Sequence, residues 1–102
     1  MSEYRIHAYG EIDAATAPQL REDLQLAIRL HFSHVLVDCA GMTFIDSAGI
    51  AVLLEAHRAL EAQGRHLLVT NVDRTPARVF EVLGLTDLLH YDRMSRSALT
   101  RT

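Results

Sequence analysis

The chain predicts an α/β fold: a single mixed, largely parallel β-sheet of about four to five strands, covered by three or more α-helices. Three observations carry this. Short runs rich in apolar and β-branched residues alternate with longer stretches whose apolar residues recur at helical spacing. Helix-opening signals follow those runs, at Thr16-Ala17-Pro18, at Asp46 and at Thr75-Pro76. The intervening helices are long enough to cross over between parallel strands. No repeat, low-complexity stretch or linker interrupts the 102 residues, so residues 1–102 are expected to form one domain with one core.

The elements follow in order. Residues 4–9 alternate Ile6 and Ala8 with bulkier polar or aromatic neighbours, the pattern of a half-buried strand, with Gly10 as its expected end. Thr16 is the expected cap of a first helix, with Pro18 in the first turn and Gln19 three residues after the cap. Leu20, Leu24, Ala27 and Ile28 give that helix its buried stripe, and it is expected to reach about His31. His34-Val35-Leu36-Val37-Asp38 reads as a strand covered on both faces. A second helix is expected after Asp46, buried through Ile50, Leu53, Leu54 and Leu60, and ended by Gly64. His66-Leu67-Leu68-Val69-Thr70 is the next strand. Thr75-Pro76 opens a third helix carrying Val79, Phe80 and Leu83, and residues 88–91 are a short last strand.

Composition narrows the function. With 49% hydrophobic and 23% charged residues the chain has the balance of an ordinary globule. A net charge of −3, with ten scattered arginines and no lysine, argues against nucleic acid, which needs clustered cations. No apolar run approaches the roughly 20 residues that span a bilayer, and no basic-then-apolar leader opens the chain. A lone cysteine, Cys39, fits a reducing compartment, so the cytoplasm is the expected location. Without lysine there is no phosphate-binding Gly-rich loop, and no nucleotide or other cofactor is expected. His31 and His34 lack further ligands at metal-binding spacing, so no metal is expected.

In open α/β sheets, working residues gather where strands end and helices begin. Here that place is the segment from Cys39 to Gly49, read as a loop leading to Asp46 and Ser47 at a helix opening. Free backbone N–H groups and the helix dipole favour negative charge there, so a phosphate on Ser47 is expected to be accommodated by its own helix. Ala48, Gly49, Ala51 and Val52, with Ala59 beyond, read as a smooth exposed face with Glu55 as its main charge, a surface that lets a partner come close. A serine hydrolase is excluded because Ile45 replaces the first glycine of Gly-x-Ser-x-Gly and Asp46 would repel an oxyanion.

Gly10-Glu11-Ile12-Asp13, Val35-Leu36-Val37-Asp38 and Phe44-Ile45-Asp46-Ser47-Ala48-Gly49-Ile50 together resemble the signature blocks of the STAS domain. In particular they are similar to bacterial anti-sigma factor antagonists, and the likeness covers nearly the whole chain. The resemblance implies a binding protein rather than an enzyme. It implies phosphorylation of Ser47 by a partner anti-sigma factor that is itself an ATP-dependent serine kinase, with Thr43 the only other candidate on the loop, and a serine phosphatase that reverses the step. Glu11 and Asp13 inherit a partner-contact role from the same resemblance, beside Asp46, Ser47, Ala48, Gly49, Ala51 and Val52. Family members usually carry an additional strand before the one that ends in the Gly-Glu-Ile-Asp block, for which only Met1 to Glu3 remain. One sheet edge is therefore expected to be open, with weak homodimers as a consequence. The alternative implied by the same fold is an accessory subunit of a transport ATPase or larger signalling assembly, with Ser47 unmodified.

Overall fold

The computed structural model describes residues 3–73 together with 78, 80 and 81. Its elements run β1 (Glu3–Ile12), α1 (Ala17–Arg29), β2 (His34–Ile45), α2 (Ser47–Glu61) and β3 (His66–Thr70). Among the described residues the sheet has three strands in the order β1-β2-β3, and both pairings are parallel. Both crossovers step in the same direction across the sheet, so crossovers of one hand place α1 and α2 on the same face. The register aligns Ile6, Val37 and Val69 across the three strands. They are buried in one cluster with Leu20, Leu24, Ile50, Leu53, Ala56 and Leu60 from the two helices. Arg5, His7 and Asp38 lie in the intervening rows and so face away from the helices.

Two strands are longer than the sequence pattern predicts. β1 continues through Gly10, which adopts a left-handed φ of 65° that other residues rarely take, and ends at Ile12. β2 extends seven residues past Asp38, to Ile45, so most of the expected loop is strand. The alternation is broken because β2 carries two extra residues. It takes three steps from Asp38 to Gly41 against two from His7 to Tyr9, and two from Met42 to Phe44 against one from Gly10 to Glu11. Such bulges locally bend and twist a strand. Gly41 seats the Tyr9 ring: a Cβ there would stand 2.5 Å from Cδ1 of that ring.

The helix ends also differ from expectation. α1 stops at Arg29, with His31 in the left-handed region (φ 61°) just beyond the Leu30 cap. Thr16 occupies the N-cap position, but its side chain caps nothing. Its hydroxyl donates to the Glu11 carbonyl (2.7 Å) and accepts from the Asp13 N–H (2.9 Å). Gln19 donates instead to Asp23 along the helix (3.1 Å). At the other end of α1, Arg65 acts as a cap from a distance. Its guanidinium donates to the carbonyls of Phe32 (2.6 Å) and Ile28 (2.9 Å), satisfying chain-end acceptors that water would otherwise have to reach. Residues 78, 80 and 81 are helical, inside the expected third helix, and Phe80 is buried. The rest of that helix and the expected strand at 88–91 lie outside the described residues.

α2 is rotated relative to the sequence reading. Its exposed residues are Ser47, Ala51, Glu55, Arg58, Ala59 and Glu61, whereas Val52 is 2% exposed and Gly49 is buried. Val52 turns toward α1, where it lines a cleft of about 270 Å³ with Leu24 and Ile28. Leu54, placed on the buried stripe by its spacing, is only half-buried. The rotation separates two neighbouring substitutions. Val52→Arg replaces a buried apolar side chain with a charge at the floor of that cleft and is expected to cost several kcal/mol of unfolding free energy. Ala51→Glu, on the open stripe, is expected to stay within about ±0.5 kcal/mol. Urea denaturation of the two variants measures the difference, and equal stabilities would contradict this helix orientation.

Candidate functional site

The site is built where β1 and β2 end together against the start of α2. The last register pair is Ile12 with Ile45, and the Asp46 N–H donates to the Ile12 carbonyl (3.1 Å), which binds the helix opening to β1. Asp46 then caps α2: its Oδ1 accepts from the N–H groups of Ala48 (2.9 Å) and Gly49 (3.4 Å), and its carbonyl accepts from Ile50 N–H (3.0 Å). Gly49 brings the first turn onto the strand ends. A Cβ at position 49 would stand 2.6 Å from Ile45 Cγ1 and 2.8 Å from Ile12 Cγ2, distances that real side chains do not tolerate.

Ser47 is the first residue of α2 and is exposed. Ala51, one turn on, is exposed, and Ala48 is half-buried. These three form the small-residue surface beside the serine. Gly49 and Val52 do not belong to that surface: Gly49 fills the contact with Ile12 and Ile45, and Val52 faces α1. The expected phosphate cradle is also different. The N–H groups of Ala48 and Gly49, which a free helix opening would offer to an anion, are already held by the Asp46 carboxylate.

Glu11 and Asp13 stand beside this opening in different conditions. Glu11 is exposed, next to Phe44 across the β1–β2 pairing. Asp13 is half-buried and engaged in a turn. Its Oδ1 accepts from Ala15 N–H (3.0 Å) and Thr16 N–H (3.2 Å), and its carbonyl accepts from Ala17 N–H (2.7 Å). Asp13 thus supplies the capping that Thr16 does not, and fixes the chain's exit from β1. Sequence reasoning missed Ile12, the acceptor and packing seat of the α2 opening. It also missed Phe44, which is 44% exposed beside Glu11. The alternation of Phe44 with the buried Ile45 was the available signal, obscured because the segment read as loop.

A second polar cluster lies on the face turned from the helices. Asp38 is buried, and its Oδ1 accepts from Asn71 Nδ2 (3.0 Å) and Ala40 N–H (3.0 Å), while Arg5 donates to Oδ2 (3.2 Å). His7 Nδ1 lies 3.7 Å from the same oxygen. Asn71 takes a left-handed φ of 59°, a conformation its short amide tolerates. The Asn71 hydrogen bond is the largest influence holding the Asp38 carboxyl below its ordinary value of 3.8, aided by Ala40, His7 and Arg5 and opposed by burial. Beside it, burial and the Asp38 charge push the Cys39 thiol up to about 12, so it stays protonated and unreactive at neutral pH.

The comparisons place this arrangement among known proteins. The STAS domain family model matches residues 4–98, and the chain belongs to that family. An anti-sigma-B factor antagonist of Staphylococcus epidermidis is 32% identical over 88 residues, covering 85% of this chain and 81% of its own length. Among solved structures, an anti-sigma factor antagonist from Mycobacterium paratuberculosis superposes with a TM-score of 0.83 at 21% identity, over 98% of this chain and 85% of that one. The anti-sigma factor antagonist SpoIIAA in its unphosphorylated form gives 0.76 at 23% identity, over 95% and 85%. The Bacillus cell fate determinant SpoIIAA in the phosphorylated form gives 0.68 at 22%, over 99% and 92%. A sulfate transporter family protein from Wolinella succinogenes also shares the fold (TM-score 0.76, 18% identity, 98% and 88% covered). At these identities the structural likenesses establish the fold alone. Among the described residues no helix is long and apolar enough to cross a membrane.

The Asp38 cluster makes a pH dependence testable. Because its folded pKa lies below the unfolded value, Asp38 contributes stability that is fully present above about pH 4 and lost as pH falls through the folded value. Asp38→Asn is expected to be less stable than the parent at pH 7, with the gap narrowing as pH drops below 3.8. Urea midpoints at pH 7, 5 and 3 check this, and a gap that widens in acid would refute it.

Proposed function

We propose that this chain is an anti-sigma factor antagonist that works by binding, not catalysis, and that Ser47 is its switch. Unphosphorylated, it docks the opening of α2 on an anti-sigma factor with serine kinase activity, and the bound sigma factor is released. That partner transfers the γ-phosphoryl of ATP to the Ser47 hydroxyl, leaving ADP, and the interaction ends. A serine phosphatase hydrolyses the phosphoester and resets the protein. Asp46, Ser47, Ala48 and Ala51 form the contact, with Glu11 beside them and Asp13 holding the neighbouring turn.

One observation carries this reading: Ser47 is exposed at the first position of a helix whose cap is already occupied, with the small Ala48 and Ala51 next to it on the helix. An added phosphate brings about −1.5 to −2 charges. With Asp46 holding the Ala48 and Gly49 N–H groups, that charge falls on the docking surface, next to a carboxylate. A desolvated, unpaired phosphate of this kind is expected to weaken binding by about a hundredfold or more. The identity to a named antagonist over most of both chains supports this role over that of a transporter subunit.

The test uses purified chain, an anti-sigma factor kinase from the same cell, and ATP. One phosphate is expected, on Ser47. Ser47→Ala is expected to abolish labelling and keep binding, since alanine preserves the small surface, and Ser47→Asp is expected to weaken binding. Phosphate found on Thr43, or capture of a transport ATPase in place of a sigma-regulating kinase, would overturn the proposal.

A further inference from the structure

We propose that the outer edge of β1 is a self-recognition surface, through which two copies of the chain pair antiparallel about Ala8. β1 is ten residues long and bonds to β2 on one side, and among the described residues no strand lies on its other side. Edges of this length invite strand addition unless bulges, proline or repelling charge blunt them. β1 contains no proline. Both register shifts place their extra residue in β2, so β1 keeps strict alternation: Glu3, Arg5, His7, Tyr9 and Glu11 are exposed, while Ile6, Ala8 and Ile12 are buried toward the helices.

That alternation selects the occupant and the register. A second copy continues the sheet with its helices on the same side only if exposed residues pair with exposed ones. Centring the two-fold on His7 sets Glu3 against Glu11, like charges directly opposed. Centring it on Ile6 sets Arg5 against His7 and leaves the end of β1 unpaired. Centring it on Tyr9 leaves Glu3 and Tyr4 unpaired. Centring it on Ala8 sets Arg5 against Glu11 and His7 against Tyr9, each twice by symmetry, and Tyr4 against Ile12 on the helix side. Opposite charges and aromatic pairs directly across a sheet are the favourable combinations.

The side chains are available for these pairs. Arg5 contacts Asp38 and Glu3 through its terminal nitrogens yet remains half-exposed, with further N–H groups to donate. Tyr9 is 69% exposed, far more than an aromatic ring ordinarily shows, and stacks on His7 with ring centroids 6.0 Å apart. In the Ala8-centred pair the two His7–Tyr9 stacks meet as one strip.

The test needs only the purified full chain, with no kinase present, so its outcome is separate from that of the Ser47 proposal. Sedimentation across a concentration series near pH 8 is expected to show a reversible monomer–dimer equilibrium. Glu11→Arg opposes two guanidinium groups at both ends of the pairing and is expected to raise the dimer dissociation constant at least about tenfold. The His7→Cys/Tyr9→Cys double variant, oxidised, is expected to form a disulfide-linked dimer, while neither single variant does. A wild type that stays monomeric at millimolar concentration would overturn the proposal. So would a dimer indifferent to Glu11→Arg, or cross-linking by His7→Cys alone, which belongs to the His7-centred register.

Discussion

The contact of Gly49 with Ile12 and Ile45 is the constraint on which the rest of the structure depends. It brings the first turn of α2 against the ends of two parallel strands, close enough for the Asp46 N–H to bond the Ile12 carbonyl. Any side chain at position 49 would lift the helix off that seat, because both opposing groups are branched side chains already in the core. Once the seat is made, the direction of α2 is set and Val52 must turn toward α1. Ser47, Ala51 and Glu55 are left outside, where Glu55 accepts from Arg21 (2.9 Å) and ties the two helices across their exposed edge.

Much of this was legible in the sequence because the signals were chemical rather than statistical. Asp46 reads as a cap because a short carboxylate at a helix opening has N–H groups to accept from, and it does so here. The alternation of strands and helices follows from apolar periodicity, and the stripe of Ile50, Leu53 and Leu60 is buried as spaced. The failures share one cause, a residue answering to a tertiary partner. Gly10 looked like a strand end, but β1 runs on through it to Ile12 in its pairing with β2. Thr16 looked like a cap, but its hydroxyl finds the Glu11 carbonyl first. Gly49 and Val52 looked like part of a smooth exposed face because small and medium residues carry no mark of which side they pack on.

Gly49 and Val52, read from the sequence as exposed, are buried, so the open surface beside Ser47 is narrower than the spacing suggests. That width depends on the rotation of α2, which the apolar stripe fixes only loosely when alanines interrupt it. The resemblance to the STAS domain could not repair this, since a shared motif identifies a residue without stating what it touches.

The occupied cap has a consequence for the proposed switch. At an open helix N-terminus a phosphoserine could fold back onto backbone N–H groups, and the modified protein would hide part of its new charge. Asp46 removes that refuge. For a phosphate on Ser47 to reach the Ala48 and Gly49 N–H groups it must displace the Asp46 carboxylate, at the cost of the cap and against like-charge repulsion. If it does not, it projects outward among Ala48 and Ala51. In the first case the helix opening that is the proposed docking surface is rebuilt; in the second that surface carries a new charge beside the Asp46 carboxylate. Both routes would weaken the proposed docking, so the sign of the proposed switch does not depend on which conformation the phosphate adopts. An uncapped serine one residue further into the helix would lack that property, because its phosphate could be absorbed without disturbing the surface.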